Sequence, residues 1–287
     1  MFGLRNDGIN VSKQLDPMVL FTPLIMPTRC ESMNEVTYPA EYEPLAAYIR
    51  KCTKAGINNV SFMTILAAAY ARTVYHHPSM NYFVMGTKVY AHRDLTISLV
   101  VLKDTGDGSL QEALAKITLD PEDTISQVAE KMEKEIALAK KATEKNATSN
   151  FAGTLLRIPV LPTLVVWLAR LTDRLGILPR FLNKLSPFHC SLFITNMMSI
   201  GLPSIYHHLY NFGTCSVFMS VGKPERQTVT VGGNAARKLM LPMGFVTDER
   251  ICGGAGYAQG AHCFLNYLKH PELLELTPEE EARRADT

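Results

Sequence analysis

The sequence predicts an α/β fold in which a mixed β-sheet is covered by helices. Three observations predict it. Strands and helices alternate along the chain without a strict strand–helix–strand repeat. Leu95 to Leu102, LTISLVVL, is β-branched and apolar on both faces, the pattern of a central strand. Thr124 to Lys141 carries Ile125, Val128, Met132 and Ile136 at the spacing of one helix face. With 287 residues, 47% hydrophobic and 20% charged, the chain can bury a sizeable core and is too apolar for a disordered protein. Lys plus Arg is 29 and Asp plus Glu is 27, so no basic balance points to nucleic acid.

The elements follow in order. Residues 1–16 read as an arm, and residues 17–40 as short extended pieces cut by Pro17, Pro23, Pro27 and Pro39. Glu41 to Ala55 is a predicted helix with Leu45, Ala46, Ile49 and Cys52 on one stripe, ended by Gly56. Ser61 is the predicted N-cap of a very apolar helix, Phe62 to Tyr75, whose Ala67-Ala68-Ala69 run suits close packing on a sheet. A short strand at Thr87 to Tyr90 precedes the central one. Asp120 to Asp123 places acid at the start of the amphipathic helix, where the helix dipole favours it. A polar linker at 142–150 and an apolar, proline-broken segment at 151–188 follow. The second half reads as strands at Ser191 to Asn196, Thr214 to Val221, Thr228 to Val231 and Lys238 to Thr247. A glycine-rich stretch, Cys252 to Gly260, leads to a last helix, Ala261 to Lys269, and a charged, frayed tail, Thr277 to Thr287.

Several blocks, taken together, carry a resemblance. They are Ser61 to Val101 with His77-Pro78 and Asn81 at its centre, DTISQVAEKMEKEIALAKK (Asp123 to Lys141), LFITN (Leu192 to Asn196), TCSVFMSVGKPE (Thr214 to Glu225), and FVTDERICGGAG (Phe245 to Gly256) followed by HCFLNYLKHPELL. Their order resembles the catalytic domain of 2-oxoacid dehydrogenase acyltransferases, the E2 components, and of chloramphenicol acetyltransferase. The blocks span nearly the whole chain. The resemblance implies a single chloramphenicol acetyltransferase-like domain over 1–287, a homotrimer that can build a larger cage, and a site between subunits. It implies coenzyme A or acyl-CoA as co-substrate and a small-molecule acceptor. No lipoyl domain is read before this core.

The family signature is D-H-R-x-x-D-G, in which the histidine is the general base. It falls here on Asp248-Glu249-Arg250-Ile251-Cys252-Gly253-Gly254. Asp248, Arg250 and Gly254 match, Glu249 stands in the place of the histidine, and Gly253 replaces the second aspartate. A carboxylate serves as base only where burial raises its pKa. Thr195 falls on the family's hydroxyl residue, which hydrogen-bonds the oxyanion of the tetrahedral intermediate. His262, on the last helix, is a candidate relocated base, and His207-His208 a further one. Cys252 reads as a small buried hydrophobe, with an acyl-cysteine role as the sharper option. The expected catalytic set is therefore Glu249, Thr195 and His262. No HxxxH, HxH or CxxC spacing suggests a metal.

Two functions compete. One is CoA-linked acyl transfer to an unidentified acceptor through a non-standard base. The other is a catalytically inactive E2-like trimer, a pseudoenzyme serving as scaffold, cage component or acyl-CoA binder. The 151–188 segment offers trimer contacts, a wall for an acyl chain, or an interfacial anchor with Arg170, Arg174 and Arg180; membrane contact ranks last of the three. The polar opening MFGLRNDGIN, with no apolar signal core, gives the expectation of a cytoplasmic protein with reduced cysteines.

Overall fold

Hydrogen-bonded pairing joins seven strands into one sheet, ordered β2-β10-β8-β7-β5-β6, with β9 against β10. The computed structural model describes residues 5–104, 110–143 and 160–285. The strands are β2 (Met33–Glu41), β5 (Leu95–Asp104), β6 (Leu110–Leu119), β7 (Leu192–Asn196), β8 (Val217–Val221), β9 (Glu225–Val231) and β10 (Asn234–Asp248). β5–β7 and β7–β8 are parallel and the other pairs antiparallel, so the sheet is mixed, as expected. A small sheet of β1 (Gly8–Asn10), β4 (Lys88–His92) and β3 (Tyr82–Met85) lies apart from it. Glycine matters at one turn: Gly232 and Gly233 both take positive φ, 57° and 85°, and close the two-residue hairpin between β9 and β10.

The inner face of the sheet packs on helices. α2 (Tyr42–Lys54), α3 (Phe62–His76), α4 (Ile125–Thr143) and α7 (Gly254–Lys269) share one apolar core with β5, β6, β7, β8 and β10. α3 lies at its centre, and every residue from Met63 to Val74 is buried. Ser61 caps it as expected, in a reciprocal capping box with Thr64. The outer face carries a second, smaller core of Cys190, Phe193, Leu209, Cys215, Phe218 and Val246. Residues 203–213 run across that face, with Ser220 Oγ accepting from the Ile205 N–H. A Cβ at Gly244 would meet the Ile205 carbonyl oxygen, so glycine there lets the crossing chain approach the sheet. Further along, Ser98 Oγ donates to the Pro187 carbonyl at 2.9 Å and Lys116 Nζ to that of Asn183 at 2.7 Å.

Four local expectations give way to other structure. Residues 17–25 form a helix, α1 (Pro17–Ile25), because Pro17 sits at its first position and Asp16 accepts from the Met18 N–H at 2.7 Å. Strand β6 runs against its local sequence, in which Gln111 to Lys116 favours helix; ten paired positions with β5 override that propensity. α7 starts at Gly254 rather than at Ala261. The charged tail forms helix α8 (Pro278–Ala285), held by buried Arg72, which donates to the Leu276 carbonyl at 2.7 Å and pairs with Glu281 at 3.1 Å. Within the apolar segment lie α5 (Leu161–Leu175) and α6 (Arg180–Leu185). The expected linker from residue 144, the apolar residues 151–159, arm residues 1–4 and tail residues 286–287 fall outside the described residues.

Candidate functional site

β10 ends at Asp248, and the signature residues form the tight turn between it and α7. Asp248 is fully buried. Its carboxylate accepts from Ser32 Oγ at 2.9 Å and from Arg250 Nε and Nη2, each at 2.7 Å. Arg250 also donates from Nη1 to the Met26 carbonyl, and Arg29 Nε lies 3.7 Å from Asp248 Oδ2. Burial lowers the Arg29 pKa, and the Asp248 carboxylate opposes that shift. The two matched charged residues of the signature thus hold the corner of the fold. The Glu249 N–H donates to the Ser32 carbonyl at 2.9 Å, which fixes the next residue of the turn.

Glu249 is exposed and lines a cavity of about 340 Å³ together with Met18 and Thr22 of α1, Asn34, Cys252 and Tyr257. Gly253 and Gly254 open the same cavity at the α7 N-terminus, and a Cβ on either would meet nothing. Burial pushes the Tyr257 phenol well up, so it stays a neutral hydrogen-bonding group. Burial also raises the Cys252 thiol, with Ser79 opposing; a protonated thiol is a poor nucleophile.

Thr195 is half-buried at the other end of the sheet. The register pairs Thr195 with Ser220 and Ser220 with Gly244, and Glu249 lies five residues beyond Gly244, just past the end of β10. At about 3.3 Å per residue the two side chains stand roughly 16 Å apart along the strand direction. Within one chain they do not meet. His262 is exposed on α7, about 12 Å of helix beyond Gly254, and is not among the residues lining the Glu249 cavity. The structure brings together none of the three expected catalytic residues.

An imidazole does lie on the same face of the sheet as Thr195. Thr195 and Phe193 are alternate residues of β7 and share a face of the sheet. Phe193 stacks on Phe218, and His207 stacks on Phe218 with ring centroids 4.1 Å apart. Only the doublet His207-His208 signalled this in the sequence.

A second charged cluster has no local signal in the sequence. Arg5 donates to both Asp7 carboxylate oxygens at 2.8 and 2.9 Å, and to Asp173 Oδ1 and the Asp173 carbonyl, each at 2.7 Å. His189 Nε2 lies 3.3 Å from Asp173 Oδ1. Burial opposes ionisation of Asp173, yet His189 and Arg5 outweigh it and hold the carboxyl at about 2. Asp7, Asp173 and His189 could together offer metal ligands, but the Arg5 guanidinium already supplies the positive charge between the carboxylates. Arg5 and Asp173 are 168 residues apart, so no spacing could reveal the pair.

No family model matches the sequence, and no curated protein matches it. Solved structures do match. The cubic core of the pyruvate dehydrogenase multienzyme complex is 18% identical, covers 93% of this chain and 92% of its own, and has a TM-score of 0.58. A dihydrolipoamide acetyltransferase of Azotobacter vinelandii, studied for the role of a serine, a histidine and an asparagine in its catalytic mechanism, is 17% identical, with 93% and 92% covered and a TM-score of 0.56. A chloramphenicol acetyltransferase is 10% identical, with 91% and 99% covered and a TM-score of 0.53. At these identities the likeness is one of fold. The chain has the mixed α/β fold of E2 catalytic domains and chloramphenicol acetyltransferase, as the ordered blocks implied.

Proposed function

We propose that the chain, acting as one catalytic domain, transfers an acyl group between coenzyme A and an unidentified acceptor at a site completed by a second copy of itself. The separation of Glu249 from Thr195 along the sheet carries this reading. Two halves of one site at opposite ends of a chain become useful when copies pack head to tail around a closed ring, as in a trimer. A larger cage would be a further assembly of such trimers.

In this reading Glu249 of one copy accepts the proton of the acceptor thiol or hydroxyl. The freed electron pair attacks the thioester carbonyl, and Thr195 Oγ–H of the next copy donates to the oxyanion. The intermediate collapses by expelling the CoA thiolate, which takes the proton back. Docking of the next copy must also dry Glu249, since an exposed carboxylate is too weak a base. The cavity is at the small end of ligand pockets; it suits the reacting end of a thioester and leaves the nucleotide outside. His207, on the face of Thr195, is better placed than His262 to supply an imidazole.

One observation favours a second reading, an inactive scaffold or acyl-CoA binder in the cytoplasm. Among the described residues, no histidine lines the Glu249 cavity. The experiment offers acetyl- to long-chain acyl-CoA with dihydrolipoamide, amine and alcohol acceptors, and follows free CoA and product. Turnover that falls about 100-fold in Glu249→Gln supports the enzyme with Glu249 as base. A comparable loss in His207→Asn alone moves the base to the loop. Saturable CoA binding without turnover supports the binder.

A further inference from the structure

α5 sits the wrong way out for a globular helix. Leu164, Trp167, Leu168, Leu171 and Leu175 recur at helical spacing and form one apolar stripe. All five are exposed, Trp167 by 58%. Asp173, on the opposite side, is the helix's one buried residue, at 2%. The aspartate faces the protein, drawn in by Arg5 and by the Gly213 N–H at 3.1 Å, and the stripe faces away. The apolar surface continues through Ile177, Phe181 and Leu185, all exposed.

The charge on this surface has one sign. From Leu161 to Leu185 the cations are Arg170, Arg174, Arg180 and Lys184, and all four are exposed. The single carboxylate in that span is the buried Asp173. Arg174 and Arg170 border the stripe on the side of Trp167, so an amphipathic ring lies at the boundary between apolar and charged surface. Arg180 and Lys184 also rim a groove of about 990 Å³ shared with the cations Arg93, Lys116, Lys131 and Lys134 and the carboxylates Asp7, Asp94 and Glu135. At its wall Thr214 Oγ1 is buried without a hydrogen-bond partner. No helix among the described residues is long and apolar enough to cross a membrane.

From these observations we infer that α5 and α6 form a docking surface that lies on an anionic phospholipid bilayer. The apolar stripe enters the headgroup–acyl boundary, and the four cations meet lipid phosphates. A second copy of the same surface would bring four cations against four. The inference stands independently of the acyl-transfer reading.

Trp167 is the sole tryptophan of the sequence, so its emission reports this surface alone. The full chain is mixed with vesicles of phosphatidylcholine, with and without about 30% phosphatidylglycerol, and separately with inorganic phosphate. The inference expects co-flotation and a blue shift of Trp167 with the anionic vesicles, weakened by salt, and no shift with phosphate. Leu168→Glu and Leu171→Glu, at exposed positions, should each lower partitioning by roughly 100-fold with unchanged far-ultraviolet circular dichroism. Arg170→Gln and Arg174→Gln should each lower it by about fivefold. Emission already blue-shifted without vesicles and unmoved by them would overturn the inference and assign the face to another copy. Equal binding to pure phosphatidylcholine would overturn its anionic part.

Discussion

α3 and α5 are both helices of fifteen residues and both are apolar. α3 buries everything from Met63 to Val74, whereas α5 buries one aspartate. The difference lies in where their polar groups find partners. Thr73 of α3 donates within its own helix, to the Ala69 carbonyl at 2.7 Å, and Arg72 ends on the Leu276 carbonyl, so apolar neighbours can surround both. Asp173 of α5 answers a buried guanidinium, and that pairing fixes which face turns inward. Leaving a buried charge unpaired costs several kcal/mol. The stripe left in water forgoes on the order of 5 kcal/mol, a penalty that a covering surface would recover. Apolar content therefore does not decide burial by itself; the polar anchor decides it.

The comparison can be broken at the anchor. Asp173→Ala leaves Arg5 buried beside one carboxylate and should cost about 4 kcal/mol of unfolding free energy by denaturant titration. Acid does part of the same. The folded Asp173 carboxyl lies at about 2 against an ordinary 3.8, so its contribution is complete above pH 3.8 and lost as pH falls through about 2. That loss amounts to about 2 kcal/mol, and amide exchange in α5 should accelerate over that interval ahead of α3. A shift of equal size in both helices would deny α5 a separate anchor.

The comparison can be sharpened at matched leucines. Leu66→Ala in α3 removes a fully buried side chain and should cost about 3 kcal/mol. Leu168→Ala in α5, in vesicle-free solution, should stay within about 0.5 kcal/mol. A cost at Leu168 that matches Leu66 would mean that a second copy already covers the stripe.

Much of the inner layer was legible in the sequence. Ser61 marks the start of α3, and Ile125, Val128 and Met132 mark the buried face of α4, because local spacing and burial agree there. β6 was not legible, since Ala113, Ala115 and Ile117 alternate correctly but sit in a run with helical propensity. α1 was hidden by Pro17 and Pro23, read as breaks although the first is a favourable helix start. The orientation of α5 was beyond reach, because it depends on Arg5, on the far side of the sequence. At the candidate site the sequence located the turn and the change to Glu249. It could not place Thr195 at the other end of the sheet or His207 on that same face, since both follow from register and a loop crossing.

The most direct test of a site shared between copies is activity in mixed assemblies. Glu249→Ala and Thr195→Val chains, each inactive alone, are unfolded together, refolded as hybrids and assayed for acyl transfer. The account predicts that hybrids recover a substantial fraction of wild-type turnover, because one interface then carries both intact residues. Hybrids no more active than the separate variants, from a wild-type protein that turns over under the same conditions, would contradict it.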